Sequence, residues 1–237
     1  VDGPGGLVEY YPGREERMAL IPNHGDIGEW TMCQPSGTVL YSCQQMGTIL
    51  GKSVVIMGQG SIGLSFTAIC ARAGARQVIA VDPINYRLDW SKKFGATHTI
   101  NPNTVDVDDA VNEITGGIRG DISVEASGYP DAINAAFRNV AKFGKVIIFG
   151  IQEGVRGHLT EIDTQHFLKN TPTIIPTSGA GSGDAIGHIE RMIELKDRGW
   201  WNPGEMVTHH RTFSEVNEAY EIYDKRLDDV IKVVMTL

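Results

Sequence analysis

Three glycines and one aspartate define the chemistry open to this chain. Gly58, Gly60 and Gly63 stand in the spacing G-x-G-x-x-G, directly after the apolar run Val54-Val55-Ile56-Met57. In such a pattern Gly58 allows a tight turn out of a strand. Gly60 lets the backbone approach a pyrophosphate, and Gly63 lets helix and strand pack closely. Residues 64–73 read as a helix, whose start offers free N–H groups and the positive end of its dipole to phosphates. A second apolar run, Gln77-Val78-Ile79-Ala80-Val81, ends in Asp82, 24 positions after Gly58. An acid there is placed to accept both ribose hydroxyls of an adenosine and to repel a 2′-phosphate, so the expected ligand is NAD rather than NADP. A glycine triplet alone is weak, and Asp82 alone could be a turn residue before Pro83. The discriminating feature is the whole order of strand, glycines, helix, strand and acid.

The elements that must hold these residues follow from the apolar pattern. From Lys52 onward, short apolar runs alternate with helical stretches, which implies a parallel sheet wrapped by helices. Strands are expected at 54–57, 77–81, 97–100, 121–125 and 145–149, with an edge strand at 173–175 stopped by Pro176. Helices are expected at 64–73, 85–94, 106–114, 132–142 and 185–196. The ends differ. The first 32 residues carry glycine, proline and scattered charge around a strand-like Leu7-Val8-Glu9-Tyr10-Tyr11. The tail offers Met206-Val207, a helix over 214–223 and a terminal strand over 231–235. The expected fold is α/β: a doubly wound parallel sheet over residues 36–180. Residues 1–35 and 181–237 then belong to a second, mostly β domain.

Composition narrows the partners. The 237 residues carry a formal charge of −8, which disfavours nucleic acid and anionic membrane surfaces. No apolar run approaches the ~20 residues of a membrane span. Cys33, Cys43 and Cys70 are too few and too scattered for a disulfide framework, which fits a reducing, cytoplasmic location. Val1 to Gly6 does not look like a signal peptide, so the chain is expected either to be processed or to be numbered from partway into a longer protein.

These residues, in this order, resemble the medium-chain, zinc-type alcohol dehydrogenase family, which includes polyol and threonine dehydrogenases. The likeness is carried by Gly6-Leu7-Val8-Glu9-Tyr10 with Leu20-Ile21-Pro22, by Gln34-Pro35 before a helix, and by Gly95-Ala96 and Gly144-Lys145. Phe213-Ser214-Glu215-Val216-Asn217-Glu218-Ala219-Tyr220 and the closing Lys232-Val233-Val234 complete it. The resemblance implies a Rossmann fold and hydride transfer between a secondary alcohol and NAD. It implies that Gly58, Gly60, Ser61, Ile62 and Gly63 line the pyrophosphate turn, with Asp82 on the adenosine ribose and Arg87 near the adenosine end. Ser127 and Gly128 would face the cofactor after the fourth strand. Gly150 and Ile151 would flank the nicotinamide, Thr177-Ser178-Gly179 would approach its carboxamide, and Lys232 would aim at the pyrophosphate. For Arg87 and Lys232 the bland alternative, a solvated surface cation, stands equally. Relatives also imply a homodimer through Thr173-Ile174-Ile175.

The same resemblance exposes what is missing. The family's zinc acts as a Lewis acid on the alcohol oxygen, and its ligands include a Cys and a Gly-His-Glu segment that do not occur here. The late ligand position falls at Cys33 or Gln34. An amide is a poor zinc partner, and Cys33 as a buried small thiol is the preferred reading of that residue. His24, His98, His158, His166, His188, His209 and His210 do not fall in metal spacing. Ser61, Ser127 and Ser178 lack a partnered His and acid, so no catalytic residue is assigned. The expected function is the NAD-binding part of an alcohol or polyol dehydrogenase, inactive as this chain alone. The alternative is a non-catalytic dinucleotide-binding or assembly module.

Overall fold

The computed structural model describes residues 6–151 and 161–237. It divides into two compact units, Thr38–Gly183 and a second formed by Val1–Gly37 with Asp184–Leu237.

The first unit holds six parallel strands: β1 (Ser53–Met57), β2 (Gln77–Val81), β3 (His98–Ile100), β4 (Gly120–Glu125), β5 (Val140–Ile148) and β6 (Thr173–Pro176). Their order across the sheet is β3-β2-β1-β4-β5-β6. Every residue of β1 is buried, as a strand covered on both faces requires. One face packs Val55, Met57, Ile79, Val81 and Val146 against Val111, Ile133 and Phe137. Those last three lie on α5 (Val107–Ile114) and α6 (Pro130–Arg138). Val54, Ile56, Val78 and Ala80 alternate to the other face and are just as buried. α3 (Ser61–Arg72) packs on β1 and β2, and α4 (Asn85–Lys93) on β2 and β3. Strand order reverses between β1 and β4, and the crevice beyond the carboxyl ends at such a point is where open α/β sheets take ligands. Met57 pairs with Glu125, so the two strands end side by side.

Two expectations need correction. The helix expected over 132–142 stops at Arg138, and β5 starts at Val140 and ends at Ile148 rather than spanning 145–149. Asn139 caps α6, its side chain donating to Ala135 O at 2.9 Å and to Asp108 Oδ1 at 2.5 Å. Phe143 takes a left-handed backbone at φ 62°, which no helix continues through. The strand therefore pairs Val140 with Gly120, slips, and resumes with Lys145 opposite Ile122. The second correction concerns Leu7–Tyr11. That stretch forms no strand, and Tyr10 is 89% exposed.

The second unit contains α1 (Ile27–Thr31), α8 (Ala185–Asp197), α9 (Val216–Lys225) and a parallel pair, β7 (Val207–Thr212) with β8 (Lys232–Thr236). Trp30 anchors it, donating its Nε1 hydrogen to His24 O at 2.7 Å under the Lys196 ammonium, 4.1 Å from the ring centre. Lys196 pairs with Glu29, and the Asn202 amide beside Glu29 is the main force holding that carboxyl below its ordinary value. α2 (Cys33–Met46) begins in this unit, and α7 (Thr164–Asn170) lies in the first. Among the described residues no helix is long and apolar enough to cross a membrane.

Candidate functional site

The glycine turn leaves β1 with Gly58 at φ 91°, a conformation that favours glycine. Its missing side chain is also excluded by contact: a Cβ there would lie 2.8 Å from Ser127 Cβ. Gly63, in the first turn of α3, has no room either, since a Cβ would fall 1.8 Å from Gly58 O. Gly60 is different. Its φ of −68° suits any residue, and a Cβ would meet nothing nearer than an Arg87 nitrogen at 4.0 Å. Neither strain nor internal packing calls for glycine at that position, so the open space over Gly60 fits an approaching ligand. The helix behind it carries no side-chain cap, and its first internal bond is Leu64 N–H to Gly60 O at 2.9 Å. The Ser61, Ile62 and Gly63 N–H groups are thus the orphan donors of the first turn. The Ser61 carbonyl accepts from Ser65 Oγ at 2.8 Å, and Ile62 is half-buried.

Asp82, 3% exposed, is built into the same turn. One carboxylate oxygen accepts the Gln59 N–H at 2.7 Å and the other the Ile84 N–H at 2.9 Å. A carboxylate has about four acceptor positions, so each oxygen keeps capacity for a further donor. The Arg87 guanidinium stands 3.9 Å from Asp82 and 5.9 Å from the centre of the Tyr86 ring. Its side chain is 18% exposed, and its buried Nε has no hydrogen-bond partner. A half-buried, incompletely partnered guanidinium over an open glycine is chemistry suited to an anionic or planar ligand.

Past β4 the chain turns through Ser127 and Gly128 under the control of Glu125. This fully buried carboxylate accepts, on one oxygen, the Ser127 N–H at 2.7 Å, the Ser127 hydroxyl at 2.8 Å and the Gly128 N–H at 2.8 Å. Its other oxygen lies 2.4 Å from where a Gly150 Cβ would be. Ile151 follows, 78% exposed, with its carbonyl 2.5 Å from a would-be Cβ on Gly128. Exposed Ser178 sits beside Thr177, whose N–H donates to Ile148 O at 3.0 Å and whose hydroxyl accepts from Ser42 at 2.8 Å. The structure therefore gathers Gly58, Gly60, Ser61, Ile62, Gly63, Asp82 and Arg87 around one turn, and Ser127 and Gly150 around the neighbouring one. Lys232 belongs to the other unit, on β8, with its ammonium 5.7 Å from the Tyr223 ring centre.

Two residues of this site carry no role in the sequence reading. Gln59, fully buried, accepts from Thr67 at 2.8 Å and Ser91 at 2.9 Å, tying the turn to α3 and α4. Glu125 had a visible signal: an acid closing an apolar strand before Ser-Gly needs donors, and the next turn supplies them.

The described residues do not fit a zinc ion. Cys33 is fully buried and desolvation pushes its thiol up to about 11, opposite to what a metal-binding thiolate needs. Among the described residues no three His, Cys, Asp or Glu side chains are grouped to hold a metal. His24 and His166 are engaged with Asp197 and Asp163, while His158 lies outside the described residues.

A family model described as zinc-binding dehydrogenase matches residues 61–195, more than half the chain. The chain belongs to the zinc-binding dehydrogenase family. Among its relatives, the L-threonine 3-dehydrogenase of Pyrococcus horikoshii is 32% identical over 224 residues, covering 94% of this chain and 62% of that protein. Sorbitol dehydrogenase 1 of Saccharomyces cerevisiae is 26% identical over 237 residues, covering 98% and 64%. The crystal structure of benzyl alcohol dehydrogenase from Acinetobacter calcoaceticus superposes with a TM-score of 0.82 at 25% identity, covering 94% of this chain and 60% of that one. The chain thus spans under two thirds of the length of these dehydrogenases. The family and the doubly wound α/β fold agree with the resemblance read from the sequence.

Proposed function

We propose that this chain is the dinucleotide-binding part of an NAD-dependent alcohol or polyol dehydrogenase. The carrying observation is Gly60, a glycine with ordinary backbone and open space, set between orphan helix N–H groups and the Asp82 carboxylate. In this reading the Ser61, Ile62 and Gly63 N–H groups receive the pyrophosphate, aided by the helix dipole. Asp82 accepts the adenosine ribose hydroxyls with the acceptor capacity left on its two oxygens. Arg87 covers the adenosine end, Ser127, Gly150, Ile151 and Ser178 border the nicotinamide half, and Lys232 serves the pyrophosphate. When bound, NAD supplies the hydride-accepting ring, and this chain's residues orient it.

No zinc-assisted step is derived, because the described residues supply no zinc site. We expect this chain by itself to leave alcohols unoxidised even with added zinc. The small alcohol substrate, the cytoplasmic location and a homodimer through β6 belong to the same proposal. The competing reading, a non-catalytic dinucleotide-binding or assembly module, shares the cofactor site and differs in assigning no dehydrogenase activity to the parent protein.

Calorimetric titration with NADH and NADPH tests the binding claim. Tighter NADH binding supports it, and equal or tighter NADPH binding removes the basis for Asp82's assigned role. Zinc-dependent reduction of NAD by the purified chain, with any alcohol from a broad panel, would overturn the expected inactivity.

A further inference from the structure

We infer that Glu125 is a positioning residue for the nicotinamide half of the cofactor, an inference that rests on the dinucleotide reading above. Its two oxygens have different surroundings. One gathers three donors from Ser127 and Gly128, and the other fills the corner that Gly150 leaves open by lacking a Cβ. The backbone of Glu125 binds the same corner, its carbonyl accepting the Phe149 N–H at 3.1 Å and the Gly150 N–H at 3.2 Å. One buried side chain therefore fixes the turn after β4 against the end of β5.

Ser127, held by Glu125, is the residue against which Gly58 packs, with 2.8 Å between Ser127 Cβ and a would-be Gly58 Cβ. The strand ends β1 and β4 flank the point where strand order reverses, and each half of such a sheet serves one mononucleotide. The β1–β2 half contains Asp82 and Arg87. In the β4–β5 half, the turn after β4 (residues 126–129) carries no charged side chain of its own, and Glu125 at the strand end points inward to donors of that turn.

Glu125→Gln keeps the size and takes away one acceptor oxygen. The amide either turns its NH2 on the Ser127 and Gly128 N–H groups, donor against donor, or keeps its oxygen there and places the NH2 in the Gly150 corner. In both arrangements the three donors lose the carboxylate charge they share. Gly150→Ala reaches the same defect from the other side, since its Cβ would displace the carboxylate.

The test compares ADP, which spans only the first mononucleotide and pyrophosphate, with NADH, by calorimetry on the full chain and both variants. In both variants NADH affinity is expected to fall roughly tenfold, the scale of one lost charge-assisted buried hydrogen bond, while ADP affinity stays within about twofold. Amide hydrogen exchange should speed up at Ser127 and Gly128 in Glu125→Gln, with Gln59 and Gly60 protected as before. Equal loss of ADP and NADH, or unchanged NADH affinity in Glu125→Gln, overturns the positioning role. A wild-type chain that binds neither ligand overturns the dinucleotide reading, and this inference with it.

Discussion

Gly58 and Ser127 touch across the point where the sheet reverses its strand order, with 2.8 Å between Ser127 Cβ and the Cβ position that Gly58 leaves empty. The first glycine of the motif thus has two jobs inside the protein: a left-handed turn and close approach to the β4 turn. Gly63 has one, close approach to Gly58 O. Gly60 has none, which separates a ligand's demand from the fold's.

That separation predicts opposite behaviour for two alanine substitutions. Gly63→Ala drives a Cβ to within 1.8 Å of a backbone carbonyl and should destabilise the chain by more than about 3 kcal/mol, read as the midpoint of urea unfolding. Gly60→Ala should stay within about 1 kcal/mol of the parent. Its NADH affinity should nevertheless fall about tenfold or more, because the methyl occupies the pyrophosphate approach. A Gly60→Ala chain that binds NADH normally contradicts the assignment.

Asp82 should decide between the two dinucleotides. Asp82→Asn retains one oxygen and loses the charge that repels a 2′-phosphate, while Arg87 remains 3.9 Å from the position. The preference for NADH over NADPH should shrink by about tenfold. Some stability is lost as well, because the Gln59 and Ile84 N–H groups now compete for one acceptor. An unchanged ratio of dissociation constants would show that selectivity lies elsewhere.

Cys33 gives a pH signature. Burial raises its thiol from 9.0 to about 11, so the folded chain keeps a proton that the unfolded chain releases. The contribution is constant below pH 9 and is lost as pH rises from 9 toward 11. Urea unfolding of the parent should therefore weaken across that window more steeply than unfolding of Cys33→Ala. At pH 8 the native thiol should resist iodoacetamide and react only in denaturant. Fast native alkylation would reveal an exposed thiolate and reopen Cys33 as a metal ligand.

The outer edge of β6 supports the proposed dimer. Among the described residues Thr173–Pro176 pairs only with β5, and Ile174 on it is 39% exposed. In the proposed dimer a second copy across a two-fold axis would pair with the edge groups of β6 and cover this isoleucine. Pro176, with no N–H, limits the contact to a short one. Sedimentation at micromolar concentration should give a dimer mass that Ile174→Lys converts to monomer. A monomer in both cases means the edge is not an interface.

Most of the sheet could be read from the sequence because its strands are continuous apolar runs. Buried parallel strands show no alternation, and Val54-Val55-Ile56-Met57 and Gln77-Val78-Ile79-Ala80-Val81 are such runs. The end of α6 is not legible in the sequence because it is set by contacts distant along the chain. Asn139 is fixed by Asp108, thirty-one positions earlier, and no local pattern announces that. The early stretch Leu7–Tyr11 carries β-forming residues, yet the structure gives it no strand partner, and propensity without pairing does not make a strand. In the site, the glycines and Asp82 were legible through their spacing. Gln59 was not, since its partners Thr67 and Ser91 come near only in the folded turn, while Glu125, whose donors lie two and three positions on, left a signal that spacing rules for glycines and Asp82 do not use.

The most direct measurement is a backbone NMR titration of the full chain with NADH. The account predicts that amide shifts concentrate at Gly60, Ser61, Ile62 and Gly63, with a second group at Ser127, Gly128 and Gly150. Shifts confined to other surfaces, or none at saturating NADH, would contradict the placement of a dinucleotide on this glycine turn.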